Sequence, residues 1–164
     1  METKDIFTSY GYAMATCHAL EGEVYELCCF LLATEELKGI APVDDITLEK
    51  IDKKARSVCK TLTFHERIEK VGKLAPKVFS KKDVKNLKKA KNLRNNLAHD
   101  FLSENSFLMF TNENRTILFE ELSDIRNKLQ STFNMFDKKY QKLAVELGIN
   151  LDECWGNLLM EWHK

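Results

Sequence analysis

The stretch YGYAMATCHALEGEVYELCCFLL, Tyr10 to Leu32, decides the class of the fold. Tyr10, Met14, Cys17, Leu20, Val24, Leu27 and Leu31 recur every three or four residues. That is the spacing of one helical face. Nothing interrupts it before Gly39 and Pro42, so the pattern predicts one long first helix that stops there.

The same period continues downstream. Leu48, Ile51, Ala55, Val58 and Leu62 mark a second helix, with Asp45 or Thr47 to cap it. TFHE, Thr63 to Glu66, reads as a capping box. It opens a third helix that turns Phe64, Ile68, Val71, Ala75 and Val78 inward. SKKD, Ser80 to Asp83, is a second such box and opens a fourth helix. SFLMFTNENRTILFE, Ser106 to Glu120, breaks the period. Two runs rich in Phe, Ile, Leu and Thr flank Asn112-Glu113-Asn114, which predicts a β-hairpin over 107–119. Leu122, Ile125, Leu129, Phe133, Phe136, Tyr140, Leu143 and Leu147 form a long fifth helix ended by Gly148. A short last helix starts at Asn150 with Glu153 as its box partner. Its Trp155 and Trp162 suit a lid on the bundle or a dimer interface.

The reading is therefore all-α: a helical bundle of about five to six helices, with a small β-hairpin inserted after the fourth. With no repeat or linker, residues 1–164 form one domain. Composition agrees, since 6 Gly and 2 Pro are too few for a turn-rich sandwich or barrel. No apolar run approaches the roughly 18–20 residues of a membrane span. The start, METKDIF, carries acids and no apolar leader. Both point to a cytoplasmic protein with no membrane partner. Five cysteines without a C-x-x-C pattern, two of them adjacent in an apolar stretch, read as core thiols in a reducing compartment. The four histidines have no ligand spacing to them, so neither a metal nor a cofactor is expected.

A formal net charge of zero hides a strong polarity along the chain. Residues 1–50 hold 3 basic and 10 acidic side chains, whereas residues 60–100 hold 12 basic and 4 acidic. The basic segment can attract a polyanion. It can equally pair with the acidic first helix.

That segment ends in KNLRNNLAHDF, Lys91 to Phe101. On a helical wheel, Val84, Leu87, Ala90, Leu93 and Leu97 share the core-facing arc, and Arg94 falls inside it. A guanidinium there is costly unless it is paired or opens into a cleft. His99 falls on the opposite side, in line with Lys88, Asn92 and Asn95. An arginine is long enough for its head and an imidazole five residues on to reach one phosphate. Cleaving RNA without a metal needs a base for the 2′-OH and an acid for the leaving oxygen, and imidazole serves as either near neutral pH. A guanidinium stabilises charge on the phosphoryl oxygens. An asparagine amide can orient the histidine. Lys88, Lys91 and Asn92 would hold the strand. A symmetric dimer would bring two histidines and two arginines to one cleft.

RNNLAH, Arg94 to His99, resembles the R-x4–6-H motif of the HEPN superfamily in its form with Asn after Arg. The helical setting is similar too, from roughly residue 3 to 147. The resemblance implies a metal-independent endoribonuclease of toxin or phage-defence type, dimeric, leaving a 2′,3′-cyclic phosphate. It implies His99 as general acid/base, Arg94 as phosphate and transition-state ligand, and Asn95 in support. Many such toxins have an acidic or polar partner from an early helix; Glu21, Glu23, Glu26 and Glu35 all remain open for that role. RNA, a second copy and an antitoxin or regulatory protein are the implied partners. The superfamily also contains regulatory or binding modules without catalysis. The run from Phe64 to His99 is similar in cadence to its mannitol-operon-repressor-like branch of transcriptional regulators. Under a purely structural reading, Arg94 pairs with a first-helix glutamate and His99 is merely solvated.

Overall fold

The computed structural model describes residues 2–40 and 44–146. It is all-helical across them. In chain order the elements are α1 (Thr3–Leu37), α2 (Asp45–Thr61), α3 (Phe64–Leu74), α4 (Lys81–His99), the short α5 (Phe101–Asn105), a 3-10 turn (Ser106–Met109) and α6 (Asn112–Glu146).

The first helix carries the fold. It runs for 35 residues, about 50 Å at 1.5 Å per residue. Ile6, Ala13, Leu20, Val24 and Leu27 are buried along it. α6 is equally long and packs along it, while α2, α3 and α4 close the rest of its circumference. Beyond Leu37 the chain turns at Gly39, whose φ of 83° is the left-handed region that glycine enters without penalty.

Local caps set the starts of the shorter helices. Asp44 accepts from Thr47 N at 2.7 Å and caps α2, in place of Asp45 or Thr47. The stripe Ile51, Ala55 and Cys59 is buried in that helix, whereas Leu48 and Val58 are exposed. The Thr63–Glu66 box is formed, with Thr63 N donating to Glu66 Oε2 at 2.7 Å. α3 stops at Leu74, one turn short of the sequence reading. Pro76 follows, and the residue before a proline is pushed out of the helical region. Ala75 is still buried, but from the turn. The Ser80–Asp83 box opens α4, and Asp83 also accepts from Lys139 Nζ of α6 at 2.8 Å.

The β-hairpin is absent, and the reason is tertiary. Residues 106–109 form a 3-10 turn, Thr111 Oγ1 accepts from Asn114 N at 3.2 Å, and α6 starts at Asn112. Leu118, Leu122, Ile125 and Leu129 then form one buried helical stripe. Burying Leu118 against the bundle overrides the β preference of Thr, Ile and Phe around it. The terminal helix from Asn150, Gly148 and the two tryptophans lie outside the described residues.

Candidate functional site

Arg94 points from α4 toward α1. One of its guanidinium nitrogens, Nη2, lies 3.1 Å from Glu21 Oε2, and Nη1 donates to Asn95 Oδ1 at 3.2 Å. Its side chain is 27% exposed and that of Glu21 22%. Nε is buried and has no hydrogen-bond partner among the described residues. The core-facing position read from the wheel is thus met by a carboxylate at the rim of the bundle, which leaves the guanidinium partly open to solvent.

Glu21 also faces a second arginine. Arg67 Nη1 of α3 stands 3.9 Å from Glu21 Oε1. The same guanidinium lies 5.0 Å above the Tyr25 ring, and its Nε donates to Cys59 O. One carboxylate between two guanidiniums leaves a local excess of positive charge. Cys17 belongs to these surroundings. Burial pushes its thiol up to about 11 even though Arg94 pulls it down, which disfavours the thiolate.

His99 ends α4 and is exposed. It makes no hydrogen bond or ion pair among the described residues, and within one chain none joins it to Arg94. The α4 terminus itself is fixed. Tyr10 Oη donates to Leu97 O at 2.8 Å, and the Tyr10 ring stacks on Phe101 at 6.3 Å. Asn95 is turned to Arg94 rather than to His99.

The positively charged residues of α4 fall into two groups. Arg94 and Lys88 are paired, Lys88 with Glu69 of α3, which also has His65 at 4.0 Å. Lys81, Lys82, Lys85, Lys89 and Lys91 make no hydrogen bond or ion pair among the described residues. Elsewhere the acidic first helix takes its partners from α2, with Glu26 on Arg56 and Glu36 on Lys54. The lysines of α4 are therefore largely left facing solvent, together with Asn92, Asn96 and His99. Among the described residues no group of three or more His, Cys, Asp or Glu could hold a metal ion.

Of the site residues read from sequence, the structure brings Arg94 and Asn95 together. It leaves His99, Lys91 and Asn92 exposed or half-buried without partners among the described residues and ties Lys88 to Glu69. Glu21 and Arg67 were not singled out. Four glutamates in the first half of the chain were equivalent by spacing, and only the crossing of α1 with α3 and α4 selects one.

No protein-family model, curated protein or solved structure matches this chain.

Proposed function

We propose that this protein is a metal-independent endoribonuclease in which Arg94 and His99 act on one phosphodiester, with Glu21 and Asn95 positioning Arg94. One observation carries the reading. A guanidinium fixed at the rim by Glu21 and Asn95 lies one and a half turns from an imidazole with no partner among the described residues, on a helix whose outward face bears lysines and no acid.

The chemistry follows from these groups. The 2′-oxygen attacks phosphorus as its proton passes to an imidazole, the P–O5′ bond breaks, and a second acid protonates the departing 5′-oxygen. The product is a 2′,3′-cyclic phosphate, and no water is consumed. Arg94 stabilises the negative charge that builds on the phosphoryl oxygens. One imidazole cannot be base and acid in the same step, so a second copy supplies the other. Phe107, Phe110 and Ile117, exposed shortly after His99 in the chain, offer apolar surface for such pairing.

A second reading is a regulatory or binding module without catalysis, in the manner of a transcriptional regulator or an antitoxin-bound partner. The 3.1 Å Arg94–Glu21 pair favours it, because a guanidinium already neutralised by a carboxylate is less available to a phosphate.

Incubating the purified protein with single-stranded RNA in EDTA separates the two. Cleavage to cyclic-phosphate ends, lost in both His99→Ala and Arg94→Ala, supports the nuclease. RNA left equally intact by wild type and both variants sinks it and leaves the binding module.

A further inference from the structure

An open groove of about 800 Å³ runs between α4 and α6. It lies on the flank of α4 away from Arg94, which faces α1. We infer that this groove is a binding site for a nucleotide unit of single-stranded RNA, with the base between the two helices and its phosphate at Lys89.

The groove's chemistry selects that occupant. Its floor is Ala90 and Leu93, an aliphatic surface for the face of a base. Three carboxamides, Asn86 and Asn92 from α4 and Asn127 from α6, line it. None makes a hydrogen bond among the described residues. Each carboxamide offers both donors and an acceptor, the complement of the mixed edge of an unpaired base. Lys89 has no ion pair among the described residues, and Lys128 stands 2.5 Å from Asp124. No carboxylate lines the groove among the described residues. A basic peptide would find no counter-charge there. The volume is within the range of small-ligand sites and admits a nucleotide. A duplex keeps its base edges paired and its bases stacked, so only a single strand can place one in the groove.

The groove is also continuous with the outward lysines. Lys82, Asn86 and Lys89 follow one another at helical spacing along one flank of α4, with Lys85 beside them. A strand seated in the groove thus has along the first half of the helix cations that make no ion pair among the described residues. This inference extends the proposed function, since it assigns RNA to a groove beside the Arg94–His99 end of α4, with Asn92 on the His99 side common to both. It does not require that cleavage occurs.

The test is fluorescence anisotropy with a short labelled single-stranded RNA, on His99→Ala protein so that the strand stays whole. Lys89→Ala should weaken binding about five- to tenfold and lower the salt slope by about one. Asn127→Ala, an exposed position, should weaken binding about as much with the salt slope unchanged, because it removes base contacts and no charge. Lys142→Ala, at the far end of α6, should leave binding unaltered. Duplex RNA of the same sequence should be insensitive to Asn127→Ala. If the single strand binds but Asn86→Ala and Asn127→Ala leave its affinity unmoved, the groove is not the site, even where wild type cleaves RNA. If wild type cleaves nothing and the groove variants still weaken binding, the nuclease fails and the groove stands. If no RNA is bound at all, the groove assignment is wrong.

Discussion

The Glu21 carboxylate lies 3.1 Å from the Arg94 guanidinium and joins the middle of α1 to the last turns of α4. Both side chains are less than a third exposed, so the pair is neither a solvated surface bridge nor a fully sealed one. Removing either charge leaves the other poorly solvated, at a cost of about 1–3 kcal/mol. Urea unfolding of Glu21→Gln, Arg94→Gln and the double variant should give a coupling energy of about 1–2 kcal/mol. A coupling indistinguishable from zero would show that the pair contributes nothing to the fold. In RNA cleavage, Glu21→Gln should lower the rate less than Arg94→Ala, since it loosens the guanidinium without removing it.

A second acid on α1 has the opposite character. Glu23 is 7% exposed, and its Oε2 is buried with no hydrogen-bond partner among the described residues. Burial, and then the nearby Asp137 of α6, push its carboxyl from about 4.5 up to about 7. The folded state therefore holds a proton on Glu23 that the unfolded chain releases at lower pH. Stability falls as pH rises from about 4.5 to about 7 and then levels off, by at most about 3 kcal/mol at 1.36 kcal/mol per unit. Glu23→Gln carries no such charge. It should melt higher than wild type at pH 8 and lose that advantage at pH 5. A melting difference that is the same at both pH values would refute this.

Asp83 shows the reverse sign. Burial works to raise its carboxyl, but its bonds to Lys139 and Ser80 outweigh that and hold it below the ordinary carboxylate range. Its contribution is complete above that range and is lost as pH falls through the depressed value. Asp83→Asn breaks the link between the α4 capping box and Lys139, which would retain Val78 O as a partner at 2.8 Å. The variant should lose about 1–3 kcal/mol at pH 7 in thermal or urea unfolding. The gap to wild type should narrow below about pH 4.

α3 and α4 approach closely at Gly72. A Cβ built there would stand 2.7 Å from Val84 Cγ2. Valine is stiff at χ1 and yields little. Gly72→Ala should therefore destabilise by roughly 1 kcal/mol net, the clash exceeding the gain in helix propensity. In a Val84→Ala background the same change should stabilise by up to about 1 kcal/mol. Equal effects in both backgrounds would rule out Val84 as the obstacle.

How much of this could be read in advance differs by element. Residues 10–31 announced α1 because an apolar stripe that keeps its period through Gly11 and Gly22, with no proline, has one good solution. The boxes at Thr63 and Ser80 were legible because their hydrogen bonds join residues three apart. The stretch 107–119 misled because its composition favours a strand, and composition does not report that Leu118 has a bundle to pack against. Within the candidate site, Arg94, Asn95 and His99 stood out by residue type and spacing. Glu21 and Arg67 did not, since a contact between α1 and α3 leaves no local trace.

The order of residues was thus enough for the helical class, the start of α4 at Ser80, and the concentration of positive charge on that helix. Each depends on neighbours a few positions apart. Packing of α1 against α3, α4 and α6 decided which glutamate meets Arg94, which acid has its carboxyl pushed up by burial, and that a groove with no carboxylate among its described lining residues opens between α4 and α6. Those outcomes depend on the angle and register at which separate helices cross, which long-range burial sets and no short window of sequence encodes.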